Sequence, residues 1–383
     1  MTGSDAVVRV ACSIASKEAD QIIWDARGPL HRREAVIVEV EGVDGLIGYG
    51  YAPSWGLDPK TMAAFIMNEF ADDVVGRRPG EVLDIHRELT RRAKIHGGGG
   101  LASSAVGGVD GALWDLHARS LDVPMRELFG SSVETVPAYA SSGFYEGGGD
   151  ESEFQRVLPE LVEAGYRAVK IKCGRASLRE DADRVRRARE ALGSDIRLMV
   201  DANGAYRSVP DALQMAGVLA EVEVSWFEEP MEIEDEDGYR ELCRLSPVPV
   251  AAGENACTLR QIVRLVDAGV HVIQPDVGWT SGISTALAVA KIAEARGRTF
   301  APHAFGCSLN LLMAAQVLAA APAGGILEVE YTGNPLMSEL ASKDWTRSLD
   351  ESGDFVLPTT PGSGFTPSEQ AEGMDWVRVE AFD

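Results

Sequence analysis

The chain has 383 residues, 45% hydrophobic and 25% charged, and a formal net charge of −23. That length exceeds what one hydrophobic core usually serves, so two domains are expected, and the acidic surface makes nucleic acid and anionic membranes poor partners. No apolar run approaches the ~20 residues of a membrane span, MTGSDAVVRVACS lacks a basic-plus-apolar signal peptide, and five scattered cysteines without a CxxC pair point to a reduced, cytoplasmic protein.

Residues 1 to about 130 read as an α+β unit, strands first and helices after. Residues 9–14 form a strand, and EAVIVEVEG (34–42) and LIGYGYA (46–52) alternate around VDG as a hairpin. Between the first strand and this hairpin, SKEADQIIWDARGPLHR (16–32) lacks a period and is expected to be a long loop. A second loop, PSWGLDP, follows the hairpin. Helices are expected over 60–75, 81–94 and 102–119, the last two separated by a glycine run at 97–100 that is expected to be mobile.

From Val136 the pattern changes to strict βα alternation. Strands are expected at 136–141, 168–172, 196–201, 224–228, 248–254, 270–275, 299–303 and 325–329. The intervening helices fall near 151–165, 178–193, 207–221, 234–245, 258–268, 282–296 and 308–320. Eight strands with seven helices suit a closed barrel better than an open doubly wound sheet, because no GxGxxG loop follows the first strand. The tail, with turn-rich TTPGSG (359–364) and an alternating WVRVE (376–380), is expected to pack back on the N-terminal domain. The organisation read is thus 1–130 as a capping domain, 131–340 as the barrel, and 341–383 as a returning segment.

The chemistry gathers where these strands end. Three apolar runs, in VDANGAY, WFEEP and VPVAAGEN, each lead to an acid: Asp201, Glu228 and Glu254, spaced 27 and 26 residues apart. Successive parallel strands lie ~4.8 Å apart, so one βα unit per acid brings three carboxylates together. Unpaired they would repel, which implies a cation, and an all-oxygen ligand set favours Mg²⁺ over zinc. The other strands end near Ser141, in Lys170 and Lys172 (KIK), in Asp276 (QPD), in His303 (APH) and in Glu328 (LEVE). Taken singly, an acid after a strand is often the N-cap of the next helix, and a lone His is more often structural; His31, His86, His96, His117 and His271 are placed in that class. Capping alone does not require two lysines, a His and the acids to fall on one face.

Residues i and i+2 of a strand point the same way, so Lys170 and Lys172 both face the barrel mouth, and crowding two ammonium groups should lower the pKa of one and make it a base. His303 sits nearly opposite Lys172 around the ring, with Asp276 placed to fix its tautomer. Glu328, if protonated, could donate to a developing oxyanion. Two bases flanking a metal-bound substrate suit abstraction of a proton next to a carboxylate, giving an ene-diolate.

At these residues the chain resembles the enolase superfamily, and within it the mandelate racemase subgroup: AVKIK, VDANGAY, WFEEP, GEN, QPD and APHAFG occur in order and at family-like spacing. The resemblance implies a modified (β/α)7β TIM barrel under an α+β capping domain, with Mg²⁺ on Asp201, Glu228 and Glu254. It implies Lys172 as one acid/base assisted by Lys170, the His303–Asp276 dyad as the other, and Glu328 at the substrate carboxylate. Asn203 and Ser141 match positions that touch substrate or metal water, and Glu229 is not a ligand in this pattern. Specificity would come from capping loops at about 15–30 and 51–58, which offer Trp24, Arg27, His31, Tyr51 and Trp55; the tryptophans either close an apolar pocket or pack the lid on the barrel. The expected reaction is dehydration of a sugar acid to a 2-keto-3-deoxy acid, with racemisation or epimerisation of a 2-hydroxy acid as the alternative. A non-catalytic binding protein on the same fold is the rival class, and an amidohydrolase would want His-x-His where the first barrel strand reads YASSG. A homo-oligomer is expected from the resemblance alone.

Overall fold

The computed structural model describes residues 6–146, 152–321, 324–368 and 375–379. Residue 151 of the expected helix 151–165, residue 380 of the alternating tail and the first five residues of the chain lie outside them.

Two sheets carry the architecture. The first is antiparallel: β1 (Val7–Trp24), β2 (Pro29–Gly42) and β3 (Ile47–Ala52) form a meander. The long loop expected over 16–32 is instead mostly strand. β1 and β2 continue their ladder past the core through Lys17↔Arg33 and Glu18↔Arg32, shift register, and resume at Ile23↔Leu30 and Trp24↔Pro29. The periodicity fails there because polar residues occupy buried as well as exposed positions of the ribbon: Arg32 pairs with Glu34 at 3.0 Å on the solvated surface, while Arg33 and Asp25 are buried along with Ile23. The ribbon turns at 25–28 over the barrel mouth. Helices α1 (Pro59–Glu69), α2 (Ala71–Val74), α3 (Val82–Ala93) and α4 (Leu101–Ser120) cover the other face of the sheet. α4 lies directly on β3: a Cβ at Gly50 would come within 1.9 Å of the Gly108 carbonyl, so only glycine allows that approach.

After a short α5 (Met125–Leu128) come the strands of the barrel: β4 (Thr135–Ser141), then a two-residue β5 (Tyr145–Glu146) that pairs back onto β1. Helices α6 (Ser152–Glu163), α7 (Leu178–Leu192), α8 (Val209–Glu221), α9 (Glu236–Leu245), α10 (Leu259–Ala268), α11 (Ile283–Ala295) and α12 (Ser308–Ala319) alternate with β6 (Ala168–Lys172), β7 (Arg197–Asp201), β8 (Val224–Glu228), β9 (Val250–Ala252), β10 (Val272–Ile273), β11 (Thr299–Phe300) and β12 (Leu327–Glu330). The helix starts are written in the sequence: Ser177 and Glu180 form a capping box before α7, and Ser208 and Thr258 cap α8 and α10. The sheet order is β11-β10-β9-β8-β7-β6-β4-β12, all parallel. It curls until its ends meet, with Gly325 against the Phe300 carbonyl. One buried residue from each strand or its edge fills the interior: Tyr139, Ala168, Met199, Trp226, Ala251, Val272, Ala301 and Ile326. This is a (β/α)7β TIM barrel under an α+β cap.

Three strands stop earlier than the sequence pattern predicts. β9, β10 and β11 end at Ala252, Ile273 and Phe300, so Glu254, Asp276 and His303 stand on the loops beyond them. Past the last ladder, an isolated parallel bridge joins Asp276 to His303. In the returning segment, β13 (Asp354–Val356) pairs antiparallel with β4, and the Ser363 N–H donates to Asp115 of α4 at 2.6 Å. β14 (Asp375–Val379) pairs antiparallel with β1.

Candidate active site

The strand register sets the centre of the site. Lys172 pairs with Asp201, and Asp201 with Glu228, so the three side chains stand in one row on β6, β7 and β8. Glu254 joins them because Gly253 (φ 139°) turns the chain inward; a Cβ there would sit 3.0 Å from the backbone of Gln274. One oxygen from each of Asp201, Glu228 and Glu254 lies within 4.8 Å of the others, and all three residues are buried.

Each acid is held by a defined set of donors. Glu228 accepts from Lys170 Nζ at 2.5 Å, Trp226 Nε1 at 3.0 Å and Gln274 Nε2 at 2.6 Å. Asp201 accepts from Lys172, from the Asn203 N–H at 2.8 Å and from Asn203 Nδ2 at 3.1 Å. Asn203 Nδ2 also reaches Glu254 Oε1 at 3.3 Å, while Glu254 Oε2 is buried without a hydrogen-bond partner. Three pooled carboxylates with an unpartnered oxygen between them fit a hard divalent cation. Glu229, next in sequence to Glu228, turns away and accepts from Asn255.

Two protonation expectations are overturned. Burial and the crowding of Lys170 both press on the Lys172 ammonium, but Asp201 foremost, with Glu254 and Glu228, raises it above its ordinary value. Burial likewise acts against Lys170, and Glu228 and Glu328 outweigh it. The expected mutual depression of the lysines is real but smaller than the pull of the surrounding acids. Glu328, expected to be useful when protonated, is held well below the usual carboxylate range: burial raises it, but Lys170, at 2.8 Å, and His303 dominate. It is a carboxylate that accepts from the Ala304 N–H at 3.2 Å. Among the metal-site acids, burial pushes Glu228 up to about 7, whereas Lys172 and Lys170 hold Asp201 down against the same burial.

On the opposite wall, His303 Nδ1 lies 2.6 Å from Asp276 Oδ2. Asp276 is fixed by the N–H groups of Gly278 and Trp279 and by Asn310 Nδ2 at 3.0 Å. This network puts the Nδ1 proton toward Asp276 and leaves Nε2 for the cavity, 3.4 Å from Glu254. Burial lowers the His303 pKa, but Glu254, Glu328 and Asp276 prevail and lift it to about 10.

Lys172, Glu254, Asp276 and His303 form the floor of a cavity of about 360 Å³. Asp25, Arg27 and Asn255 supply its polar wall, and Leu30, Trp55, Phe144, Trp279 and Phe305 its apolar wall. Of the capping-loop candidates, Arg27 and Trp55 reach this cavity, with the Trp55 ring 6.4 Å from that of His303. Trp24 does not line it: its ring lies 4.1 Å from the Arg175 guanidinium and edge-on to His31. Adjacent strand residues face opposite ways, and Ile23 takes the inward position, packed with Phe144 and Phe305. Tyr51 is buried against Gly278 and Gly306. Asn203 stands on the acids, and Ser141, in register with Lys170, is buried with its hydroxyl unpartnered.

Sequence reasoning missed several of these residues. Gln274, Asn255 and Phe305 lie inside the QPD, GEN and APHAFG motifs and could have been found there. Asp25, Phe144, Trp279 and Asn310 carried no local signal. Neither did Arg184 on α7, which is buried and donates to the carbonyls of Lys172 (3.2 Å), Gly143 (2.7 Å) and Phe144 (3.0 Å). It ties the end of β6 to the loop bearing Phe144, whose ring lies 4.9 Å from Lys172 Nζ.

The capped barrel thus gathers three pooled acids, two lysines and a His–Asp pair at and just beyond the C-terminal ends of its strands, the face on which such barrels carry their chemistry. The chain belongs to the mandelate racemase/muconate lactonizing enzyme family of the enolase superfamily: residues 12–130 match that family's N-terminal domain, and residues 153–371 match the enolase C-terminal domain-like model. It is 30% identical over 365 residues to the L-talarate/galactarate dehydratase of Salmonella typhimurium, covering 94% of this chain and 87% of that one. It is 29% identical over 339 residues to the arabinonate dehydratase of Saccharolobus solfataricus, covering 88% and 89%. Among solved structures, a racemase from Streptomyces coelicolor with bound magnesium superposes with a TM-score of 0.84 at 28% identity, covering 94% of this chain and 97% of that one.

Proposed function

We propose that this chain is a Mg²⁺-dependent lyase that removes the proton α to a carboxylate and dehydrates a sugar acid to a 2-keto-3-deoxy acid. The observation that carries the reading is the convergence of Lys172 and the His303–Asp276 dyad on one cavity whose lining includes Glu254, one of three pooled acids. Asp201, Glu228 and Glu254 would hold the cation. When bound, Mg²⁺ supplies positive charge against the charge that develops on the substrate carboxylate. Lys170, buried between Glu228 and Glu328, adds fixed positive charge beside it.

The two acid/base groups have distinct starting states. Against its burial, His303 is raised above its ordinary value by Glu254, Glu328 and Asp276; with the charge of Glu254 shared with a cation, Glu328 and Asp276 remain to favour the protonated ring, so His303 is the group to give a proton from Nε2. Delivered to the β-hydroxyl, that proton lets water leave; the electron pair freed at the α-carbon forms the enol, which tautomerises to the 2-keto acid. Lys172 is the group to take the α-proton, after losing its own to solvent. The acids that hold it protonated are the ones that would share their charge with the cation.

A second reading has its own support. The aromatic wall of Trp55, Phe144, Trp279 and Phe305 also suits an apolar substrate without a β-hydroxyl, for which the same two groups give racemisation or epimerisation. A sugar-acid library assayed for 2-keto acids, with polarimetry on hydroxy acids in parallel, separates the two. Loss of optical rotation from an aryl hydroxy acid with no keto acid from any sugar acid would remove the dehydratase reading. The metal is tested apart from turnover: after chelation, millimolar Mg²⁺ should raise the melting temperature, by the equivalent of about 2.7 kcal/mol at a hundredfold excess over Kd, and Glu254→Gln should blunt that rise.

The setting follows the same reading. All five cysteines are free, which suits the cytoplasm; among the described residues no helix is long and apolar enough to cross a membrane. The resemblance favours a homo-oligomer, and light scattering that returned a monomer at micromolar concentration would remove that.

A further inference from the structure

We propose, resting on the dehydratase reading, that the cavity selects a monocarboxylate with a neutral hydroxylated tail, an aldonic acid, and rejects aldaric diacids. The reacting carboxylate belongs beside the pooled acids and lysines, so the far end of the substrate must lie between the 25–30 turn and the aromatic wall. Apart from Lys172 and His303, Arg27 is the cation among the described residues lining that space.

Three of its five N–H donors are engaged by acids, and the half-exposed side chain keeps one N–H on each terminal nitrogen. Nε and Nη2 donate to Asp25 Oδ2 at 3.1 and 2.8 Å, and Nη1 donates to Glu254 Oε1 at 3.2 Å. Asp25 is 2% exposed, and its Oδ1 accepts from the N–H groups of Arg27 and Gly28 at 2.8 and 3.1 Å. The pair is therefore locked into the turn, and Arg27 cannot swing toward a ligand without opening it. Asn255 donates its Nδ2 to Glu229 and Glu254, leaving its side-chain oxygen as an acceptor.

The polar end of the cavity thus carries more negative than positive charge, Asp25 and Glu254 against Arg27. A neutral hydroxyl can donate to the Asn255 side-chain oxygen and accept from the remaining Arg27 N–H groups. A second substrate carboxylate can only accept, and would have to share Arg27 with two acids already on it, against their charge. The opposite wall offers Trp55, Phe144 and Phe305, which take the C–H face of a polyol and nothing ionic.

The test compares each pentonic or hexonic aldonate with the aldarate of the same stereochemistry. Calorimetric binding to the Mg²⁺-loaded full-length protein is measured alongside α-deuterium exchange in D₂O. Aldonates should bind at least tenfold tighter than their matched aldarates. Asp25→Asn keeps the Oδ1 acceptor of the turn but removes the negative charge that balances Arg27, and should narrow that ratio about tenfold by freeing the guanidinium for a second carboxylate. An aldarate that binds as tightly as its aldonate, a ratio unmoved in Asp25→Asn, or no binding of any aldonate overturns the proposal. Selective binding of aldonates without exchange or keto-acid product leaves this selectivity standing and removes the proposed reaction instead.

Discussion

At the scale of single residues, the site works through opposed burial and charge. Lys172 and His303 are each pushed toward neutrality by burial and restored by acids, Asp201 for Lys172 and Glu254 for His303. Lys172→Ala should lower α-proton exchange by about 10² to 10⁴-fold, the usual worth of general acid–base catalysis, while His303→Asn should lower keto-acid formation by a similar factor and leave exchange at the Lys172 face largely in place; exchange that survives Lys172→Ala would falsify the assignment of that base. His303 also leaves a thermodynamic mark. Its pKa is about 10 in the folded chain against 6.5 ordinarily, so between those values the folded state holds a proton that the unfolded state has lost. The resulting stability is fully present below about pH 6.5 and falls as pH rises through 10. In chelator, melting temperature should therefore fall more steeply from pH 7 to 10 in the wild type than in His303→Asn. Equal slopes would mean that the imidazole is not held protonated.

At the scale of elements, β6 and its neighbours show how a strand end is made rigid enough for chemistry. Lys172 closes the strand, and its carbonyl is held by Arg184 from α7 together with those of Gly143 and Phe144. The same guanidinium lies 4.2 Å over the Tyr145 ring. Arg184 does not itself line the cavity; it holds the backbone of Lys172 and Phe144, which do, and acts as a positioning residue for Lys172. Arg184→Met should keep most of the buried volume while releasing the three carbonyls. We expect exchange from the substrate enantiomer that presents its α-proton to Lys172 to fall at least tenfold, with exchange from the His303 face reduced far less. Equal losses on both faces, tracking a lower melting temperature, would show a general stability effect in its place.

At the scale of the whole molecule, a net charge of −23 surrounds a site built for an anion. The field of such a surface opposes approach of the substrate until it is near Lys170, Lys172 and His303. At saturating Mg²⁺, kcat/KM should therefore rise as ionic strength goes from about 10 to 150 mM, since the Debye length shrinks from roughly 30 to 8 Å. A fall would mean that local positive charge steers the substrate from a distance. The capping sheet reaches the mouth along the extended β1–β2 ribbon, and β5 pins that ribbon to the barrel beside Phe144. The residues that shape the cavity thus come from both sheets.

What the sequence determined by itself is whatever a local pattern specifies. Apolar runs of strand length followed by capped helices set the barrel, and the residue at or just past each run set the acids, the lysines and the histidine, because a parallel barrel must deliver its strand ends to one face. Tertiary structure decided what depends on neighbours distant in sequence. The 16–32 stretch pairs as strands without alternation, since cross-strand pairing and a small cluster around Ile23, Phe144 and Phe305 stabilise it in place of a continuous apolar face. Trp24 faces away because Ile23 takes the inward side of that ribbon. Glu328 stays charged, and Lys172 protonated, because the acids and lysines around them come from β6, β7, β8, β12 and the loop after β9, whose combined field no short motif encodes. Asp25 and Arg184 act through backbone groups, and a side chain that binds carbonyls or amides leaves no trace in the identity of the residues it holds.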